Sequence, residues 1–456
     1  MRWINHTAIK TFSRGVHPAD HKADTCHLPI RQFPFAPEMV IPLSQHVGKP
    51  AIAVVRQGQE VLRGQVIAIA DGPMSVPIHA PATGVIQGMD LVPSNKGMIP
   101  GIYLKPMPGS TQEVNEGTPC HLETATPDDI LQAIQSAGIV GLGGAVFPTH
   151  IKLTLGDNKY VDTLIINGVE CEPYLTTDHR VMLEQTQDIM LGIRYLLKAT
   201  GAKRAIIAVE ANKPDAAHAL NQAIPPGLAV SVQLLKVKYP QGADKILVKT
   251  LLGLEVPPGS HSVDIHVVTI NVATTAEIGR LLPHGRGVQE RVITITGPAV
   301  AKKGNYLIPM GTPLRFALTT LGVSKDINAV CLGGPMMGPA VANLDIPITK
   351  GVAGFVAFTK TKTERKQRIF ACIHCGYCVE ACPIALNPSQ LGLLAMKKDY
   401  ARMVHDFHLR ECFECGACAY ICPSHIPLVQ YFRTAKAMYK KEHVSDSLTS
   451  ATVSIK

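Results

Sequence analysis

No run in these 456 residues approaches the ~18 consecutive apolar residues that a membrane-spanning helix needs. The opening MRWINHTAIKTFSRG has no apolar stretch of the kind a secretory signal requires. Aromatic residues are scarce, at 5% with a single Trp, and no basic helix interleaves them as a nucleic-acid surface would. Charge is also sparse: 17% of residues are charged against 46% hydrophobic, a balance that suits packed domains and excludes a disordered polyelectrolyte. The chain is therefore expected to be cytosolic, with a peripheral place on a membrane complex left open, because docking leaves no such mark.

Cysteine is plentiful. Eight of the 12 cysteines lie between Cys372 and Cys422. Thiols crowded in a chain without an export signal point to metal, not to disulfides. They occur as two copies of one pattern, Cys372-x2-Cys375-x2-Cys378-x3-Cys382-Pro and Cys412-x2-Cys415-x2-Cys418-x3-Cys422-Pro, the run of bacterial two-cluster ferredoxins. Three cysteines at two-residue gaps let one tight loop wrap three corners of a 4Fe–4S cubane. The fourth is expected to begin a helix that leads away, so that it reaches the other cluster. The ligand sets are then Cys372, Cys375 and Cys378 with Cys422, and Cys412, Cys415 and Cys418 with Cys382. Structural zinc instead takes CxxC pairs separated by a longer insert. Cys120 and Cys331 read as ordinary buried or loop residues. Cys26 sits near His17, His21 and His27, but loop histidines are too common for this to assign a metal site. The net charge is +9, and residues 359–443 hold 13 Lys/Arg against 7 Asp/Glu. Two clusters contribute roughly −4, which offsets most of that surplus; a docking face for an acidic redox partner or anionic lipid is the alternative.

The rest divides by pattern. Residues 1–45, rich in Pro and His, read as an extended arm. Residues 46–110 alternate short apolar runs with glycine turns, as short strands do, and resemble the barrel-sandwich hybrid fold of lipoyl-like domains. The turn that presents the carrier lysine there reads Gly72-Pro73-Met74-Ser75 here, so the module is expected to be structural. Residues 115–285 alternate strand and helix signals, which predicts a mostly parallel, Rossmann-like α/β domain. Its first helix should start at Thr126, a candidate N-cap, with Pro127 at the first position, and stop at Gly138. Residues 290–358 read as a small α+β unit similar to soluble-ligand-binding β-grasp modules. The basic run 360–368 reads as a linker, 365–441 as the ferredoxin-like domain, and the Ser/Thr-rich 442–456 as a disordered tail. The fold class is thus multidomain α/β and α+β.

After the first helix comes Gly138-Ile-Val-Gly141-Leu142-Gly143-Gly144-Ala145-Val146-Phe147-Pro148, then Lys152. Glycines let backbone N–H groups face an anion, and a nearby lysine can neutralise a phosphate. With Asn167-Gly168-Val169-Glu170-Cys171-Glu172-Pro173, this loop resembles the NADH- and FMN-binding flavoprotein subunit of respiratory complex I; Tyr239 through Asp244 and Asn271-Val272-Ala273-Thr274 match further. The resemblance implies that Gly141, Gly143, Gly144 and Lys152 hold FMN phosphate and ring edge. It implies that Asn167, Glu170, Asn271 and Thr274 complete the flavin site, and that Phe147 and Glu172 stack on and hydrogen-bond NADH. The sequence departs from that family at Leu142, Val146, Val169, Ala243 and Asp244, which weakens the nicotinamide assignment more than the flavin one.

The order of parts resembles the C subunits of Rnf complexes, the ion-translocating ferredoxin:NAD oxidoreductases, over nearly the whole chain. That resemblance implies electron transfer between NAD(H), FMN and two 4Fe–4S clusters. It also implies membrane and iron–sulfur partner subunits, ferredoxin as an indirect partner, and a peripheral place on the cytoplasmic face of the bacterial inner membrane. A cobalamin reductase of similar layout and a flavin-free iron–sulfur wire are the rival readings.

Overall fold

The computed structural model describes residues 9–95, 97–156, 159–360 and 368–453. The chain divides into two units. One comprises Asp20–Lys236 and Ser262–Lys360; the other comprises Lys10–Ala19, Val237–His261 and the described part of Thr361–Lys456. The basic run 360–368 lies almost wholly outside the described residues.

The first unit begins with β1 (Ile30–Gln32) and β2 (Met39–Pro42). The strands β3 (Ile52–Ala53), β4 (Glu60–Val61), β5 (Val66–Ile69), β6 (Ile78–His79), β7 (Gly84–Ser94) and β8 (Gly97–Pro106) follow. They form two small sheets, ordered β2-β8-β7-β4 and β3-β5-β6, around a core that includes Met39, Ile41, Ile67, Ile86, Ile102 and Leu104. The turn that lacks a lysine is tied down. Pro73 carbonyl accepts from His150 Nε2 at 2.9 Å, and Ser75 carbonyl accepts from Gln135 at 3.3 Å. That suits a structural module.

The α/β part opens with α1 (Pro127–Ser136). Thr126 and Asp129 form a reciprocal capping box at its start, and Gly138 takes a left-handed φ of +71° just past its end. Then come α2 (Thr149–Leu153), β9 (Thr163–Gly168), α3 (Thr177–Glu184), α4 (Thr186–Thr200), β10 (Arg204–Glu210), α5 (Pro214–Ala223) and β11 (Val230–Leu235). Helix α6 (Asp244–Leu252) belongs to the second unit, and β12 (Val267–Asn271) with α7 (Val272–Leu281) completes the first. The sheet is parallel, in the order β11-β10-β9-β12. Helices α4 and α7 cross at glycines: a Cβ on Gly192 would stand 1.9 Å from Thr275 O, and one on Gly279 1.9 Å from Asp188 O. Strands β10 and β11 extend the sheet to one side of β9, while β12 lies on the other. The carboxyl ends of β9 and β12 therefore flank a topological switch point, where open α/β sheets bind ligands.

A five-stranded sheet follows, ordered β1-β14-β13-β16-β15, from β13 (Glu290–Thr296), β14 (Gly304–Pro309), β15 (Ile327–Leu332) and β16 (Gly354–Thr359). Between β14 and β15, α8 (Leu314–Leu321) packs Leu314, Ala317, Leu318 and Leu321 into the core with Ile293 and Phe355. The stretch 1–45 is more than an extended arm: β1 pairs with β14 and β2 with β8, covering edges that would otherwise stay unpaired.

The second unit holds α9 (Tyr377–Ala381), α10 (Pro388–Met396), α11 (Tyr400–His405), α12 (Ala417–Tyr420) and α13 (Leu428–Val453). The last helix runs into the Ser/Thr-rich stretch expected to be disordered, continuing the turns begun at Leu428. The two cysteine motifs repeat in backbone as well as sequence. Left-handed φ values occur at His374, Gly376 and Ala385 in the first, and at Glu414, Gly416 and His425 in the second. Among the described residues no helix is long and apolar enough to cross a membrane.

Candidate functional sites

The glycine loop closes on itself above the carboxyl ends of β9 and β12. Gly141 donates its N–H to Phe147 O at 2.9 Å, and Val146 donates to Gly141 O at 3.0 Å. Leu142 N–H donates to Thr274 Oγ1 at 2.9 Å. Gly143 lies over Asn271, whose side-chain atoms would meet an added Cβ at 3.2–3.3 Å. Gly143, Gly144 and Ala145 are exposed, and their N–H groups have no partner among the described residues. Three successive unspent donors on an exposed loop make a fitting cradle for an anion.

Below the loop, Asn167 and Asn271 sit side by side in register. Asn271 Oδ1 accepts from Ala273 N and Thr274 N at 3.0 and 3.2 Å, capping α7, while its Nδ2 donates to Asp178 Oδ2 at 2.8 Å. Glu170, at a left-handed φ of 46°, accepts from the N–H groups of Asp178 and His179 at 2.6 and 3.3 Å, at the start of α3. Gly141, Gly143, Asn167, Glu170, Asn271 and Thr274 are thus linked through one chain of contacts, with Gly144 exposed next to Gly143. Phe147 is half-buried and closes the loop through its carbonyl. Lys152 is exposed on α2, and its ammonium makes no hydrogen bond or ion pair among the described residues. Glu172 turns elsewhere: its carboxylate accepts from Met336 N at 3.2 Å and Met337 N at 2.8 Å, in the glycine-rich turn after β15.

Buried charge surrounds this crevice. Burial lifts the carboxyls of Glu170 and Glu172 to about 7 and raises Asp178 as well. Four cations that sequence reasoning did not single out lie in this region, and Lys22, Lys213 and Arg291 among them oppose the rise. Lys22 Nζ donates to the carbonyls of Glu170 and Glu172 at 2.9 Å each and to that of Leu175, and burial lowers its pKa. Lys213 donates to Val169 O at 3.1 Å and pairs with Glu210 at 2.9 Å, both side chains almost fully buried. Arg291 donates to Leu142 O at 3.1 Å and to Lys350 O, and burial lowers it to about 10. Lys350 donates to Pro77 O at 2.9 Å and Gly138 O at 2.7 Å, and burial lowers it to about 7. Most of these contacts end on carbonyls of the loop and the 169–175 turn, so the cations set backbone positions.

In the second unit the eight thiols line two cavities. One is walled by Cys382, Cys412, Cys415 and Cys418 with Leu391, Val429 and Phe432. The other is walled by Cys372, Cys375, Cys378 and Cys422 with Ile426 and Leu428. Each takes three cysteines of one motif and the fourth of the other. The fourth does not begin a helix, as the spacing suggested. Helix α9 carries the third cysteine, Cys378, and ends at Cys382 as its C-cap, while α12 carries Cys418 and ends just before Cys422. One short turn of helix supplies the reach. Among the described residues no three His, Cys, Asp or Glu side chains converge as ligands of a single ion do. Four thiols spread around an apolar wall suit a cubane. Burial pushes the Cys415 thiol up to about 12 and raises Cys412 and Cys418, so a cluster must displace their protons as it binds. Outside the motifs, Cys120 and Cys331 are buried.

A parallel α/β domain with a glycine loop at its switch point, joined to two four-thiol cavities, defines an iron–sulfur flavoprotein of electron transfer. A family model described as the Nuo51 FMN-binding domain matches residues 134–280, the RnfC barrel sandwich hybrid domain matches 10–105, and a 4Fe-4S dicluster domain matches 371–426. The C subunit of the proton-translocating ferredoxin:NAD(+) oxidoreductase complex of Clostridium ljungdahlii is 39% identical over 94% of this chain and 94% of its own length. The C subunit of the ion-translocating oxidoreductase complex of Haemophilus influenzae strain PittEE is 39% identical over 95% of this chain and 67% of its own length. The Na(+)-translocating counterpart of Acetobacterium woodii is 37% identical over 84% of this chain and 86% of its own. The chain belongs to this family, the C subunits of ion-translocating oxidoreductase complexes. It spans 67% to 53% of the length of the Haemophilus relatives.

Proposed function

We propose that this chain is the peripheral electron-transfer subunit of an ion-translocating ferredoxin:NAD oxidoreductase, passing electrons between NAD(H), FMN and two 4Fe–4S clusters. The observation that carries the reading is the division of eight thiols between two cavities, in the chain that also carries the FMN-binding domain. FMN, when bound, supplies the exchange between two-electron hydride chemistry and single electrons. Gly143, Gly144 and Ala145 would offer N–H groups to its phosphate, with Gly141 closing the loop and Lys152 adding charge. Asn167, Glu170, Asn271 and Thr274 would fix the crevice floor. Phe147 is assigned to the nicotinamide side. Glu172 is assigned there too, although its carboxylate already accepts two backbone N–H groups, so nucleotide contact would compete with them.

The cluster ligands are Cys372, Cys375, Cys378 and Cys422 for one cluster, and Cys382, Cys412, Cys415 and Cys418 for the other. The domains are taken as Rossmann-like, lipoyl-like and β-grasp in type. The partners are membrane and iron–sulfur subunits of the same complex, on the cytoplasmic face of the inner membrane, with ferredoxin reached indirectly. Anaerobic reconstitution with iron, sulfide and FMN, followed by NADH titration under optical and EPR observation, tests this. Flavin bleaching followed by cluster reduction is expected. Clusters reduced by dithionite in a protein that neither keeps flavin nor responds to NADH would leave only the iron–sulfur wire. NADH-driven cob(II)alamin reduction by the isolated protein would favour the reductase reading.

A further inference from the structure

Two segments far from the cysteine motifs in sequence belong to the cluster unit, Lys10–Ala19 and Val237–His261. Val16 and Tyr239 bridge them in antiparallel fashion, exchanging N–H···O bonds of 2.8 and 2.9 Å. Tyr239 is 1% exposed and donates its hydroxyl to Cys415 O at 2.6 Å. Beside it, Arg14 Nη1 donates to Val379 O at 2.9 Å and Gly15 N–H donates to Ala381 O at 3.2 Å. Val379 and Ala381 lie in α9 between Cys378 of one ligand set and Cys382 of the other, with Ala381 directly before Cys382. Through Ala381 and Cys415 this bracket bears on the cavity of Cys382, Cys412, Cys415 and Cys418. Lys436 also donates to Cys412 O there, but Glu414 pairs with it at 2.9 Å. Half-buried Arg14 has no carboxylate partner among the described residues, so its charge is uncompensated.

The other cavity is differently built. Cys375 is exposed, Ile373, Tyr377 and Met396 beside it are 66%, 52% and 55% exposed, and its polar lining is Ser389, with Oγ 3.7 Å from Cys372 Sγ, and Ser424.

We infer that Arg14, held by the Val16–Tyr239 bracket, makes the two clusters inequivalent by raising the reduction potential of the one bound by Cys382, Cys412, Cys415 and Cys418. This rests on the ligand sets proposed above. An oxidised cubane with four thiolates carries about −2, and one-electron reduction adds another negative charge. A cation fixed beside the cluster's ligand loop stabilises the more negative state. Arg14 is a positioning residue: it acts through the ligand loop and touches no reacting atom.

The test is potentiometric EPR on the anaerobic holoprotein, comparing wild type, Arg14→Gln and Arg14→Lys, with iron content measured on each. Cys382→Ser separately identifies which signal belongs to this ligand set. Arg14→Gln should raise the oxidised-to-reduced ratio of that cluster three- to tenfold at fixed potential, tenfold being about 59 mV for a one-electron couple. The other cluster and the iron content should hold, and Arg14→Lys should stay near wild type. No shift, an equal shift of both clusters, the same shift in Arg14→Lys, or loss of iron in Arg14→Gln would each overturn the inference. If Cys382→Ser instead perturbs the cluster of the Cys372 motif, the ligand sets fail, and with them the assignment of the shifted signal.

Discussion

Replacing Gly143 by valine should empty the flavin crevice and leave the clusters alone. A Cβ at this position would already stand 3.2 Å from Asn271 Cβ and 3.3 Å from its Cγ and Nδ2, and valine adds two methyl groups beyond that point. The asparagine side chain must move. It caps α7 through two N–H groups and donates to the buried Asp178 at 2.8 Å. A lost N-cap costs about 1 kcal/mol, and a buried carboxylate deprived of its donor costs about 1–3 kcal/mol. If that sum, about 2–4 kcal/mol, falls on the flavin-competent arrangement, FMN should bind about 30- to 1,000-fold more weakly. FMN fluorescence on titration into the flavin-free protein reads this directly. Iron should remain at about eight per chain, and dithionite should still reduce both clusters while NADH does not. Wild-type flavin affinity in Gly143→Val, or loss of iron along with the flavin, would refute the reasoning.

Lys22→Met should strip the donor from three carbonyls of the 169–175 turn, lowering stability by about 3 kcal/mol and weakening FMN retention without touching iron. Thermal unfolding and flavin content after desalting check it, and Lys22→Arg should not restore either, because a planar guanidinium cannot replace a compact ammonium among three carbonyls. Lys350 is held near 7 against an ordinary 10.5, so between those values the unfolded chain binds a proton that the folded one does not. Its penalty is absent above pH 10.5, grows as pH falls and is complete below about 7. The stability difference between wild type and Lys350→Met should therefore change by about 1.4 kcal/mol per pH unit between pH 8 and 10, and a pH-independent difference in denaturant midpoints would contradict the shift. Gly192→Ala should cost about 1–3 kcal/mol or more by forcing α4 from α7, measured by denaturant unfolding.

What the sequence made legible was what residue type itself must encode. Thiolates are the usual ligands of a cubane, so the gaps between Cys372 and Cys422 marked eight thiols in two sets, and each cavity is lined by three thiols of one motif and the fourth of the other. Only particular side chains cap a helix, so Thr126, Asp129 and Pro127 marked the start of α1. The alternation of strand and helix signals foretold a parallel sheet, and the glycine loop fell where the strand order reverses. Less legible were interactions whose acceptor is the backbone. Lys22, Lys350 and Arg291 are buried cations that donate to carbonyls of residues 138, 142, 170, 172 and 175, among others. Every residue carries a carbonyl, so nothing in the sequence marks one as a lysine's partner. The same holds for the bracket on the cluster unit, where Arg14 and Tyr239 reach Val379 and Cys415 through main-chain oxygen. Tyr239 stood out in the sequence by its match to the complex I subunit, yet neither it nor Arg14 carries any mark of its main-chain partner. Chemistry at the metal was written in residue identity, while the surroundings that orient the site and tune its electrostatics were written in backbone contacts across more than a hundred residues.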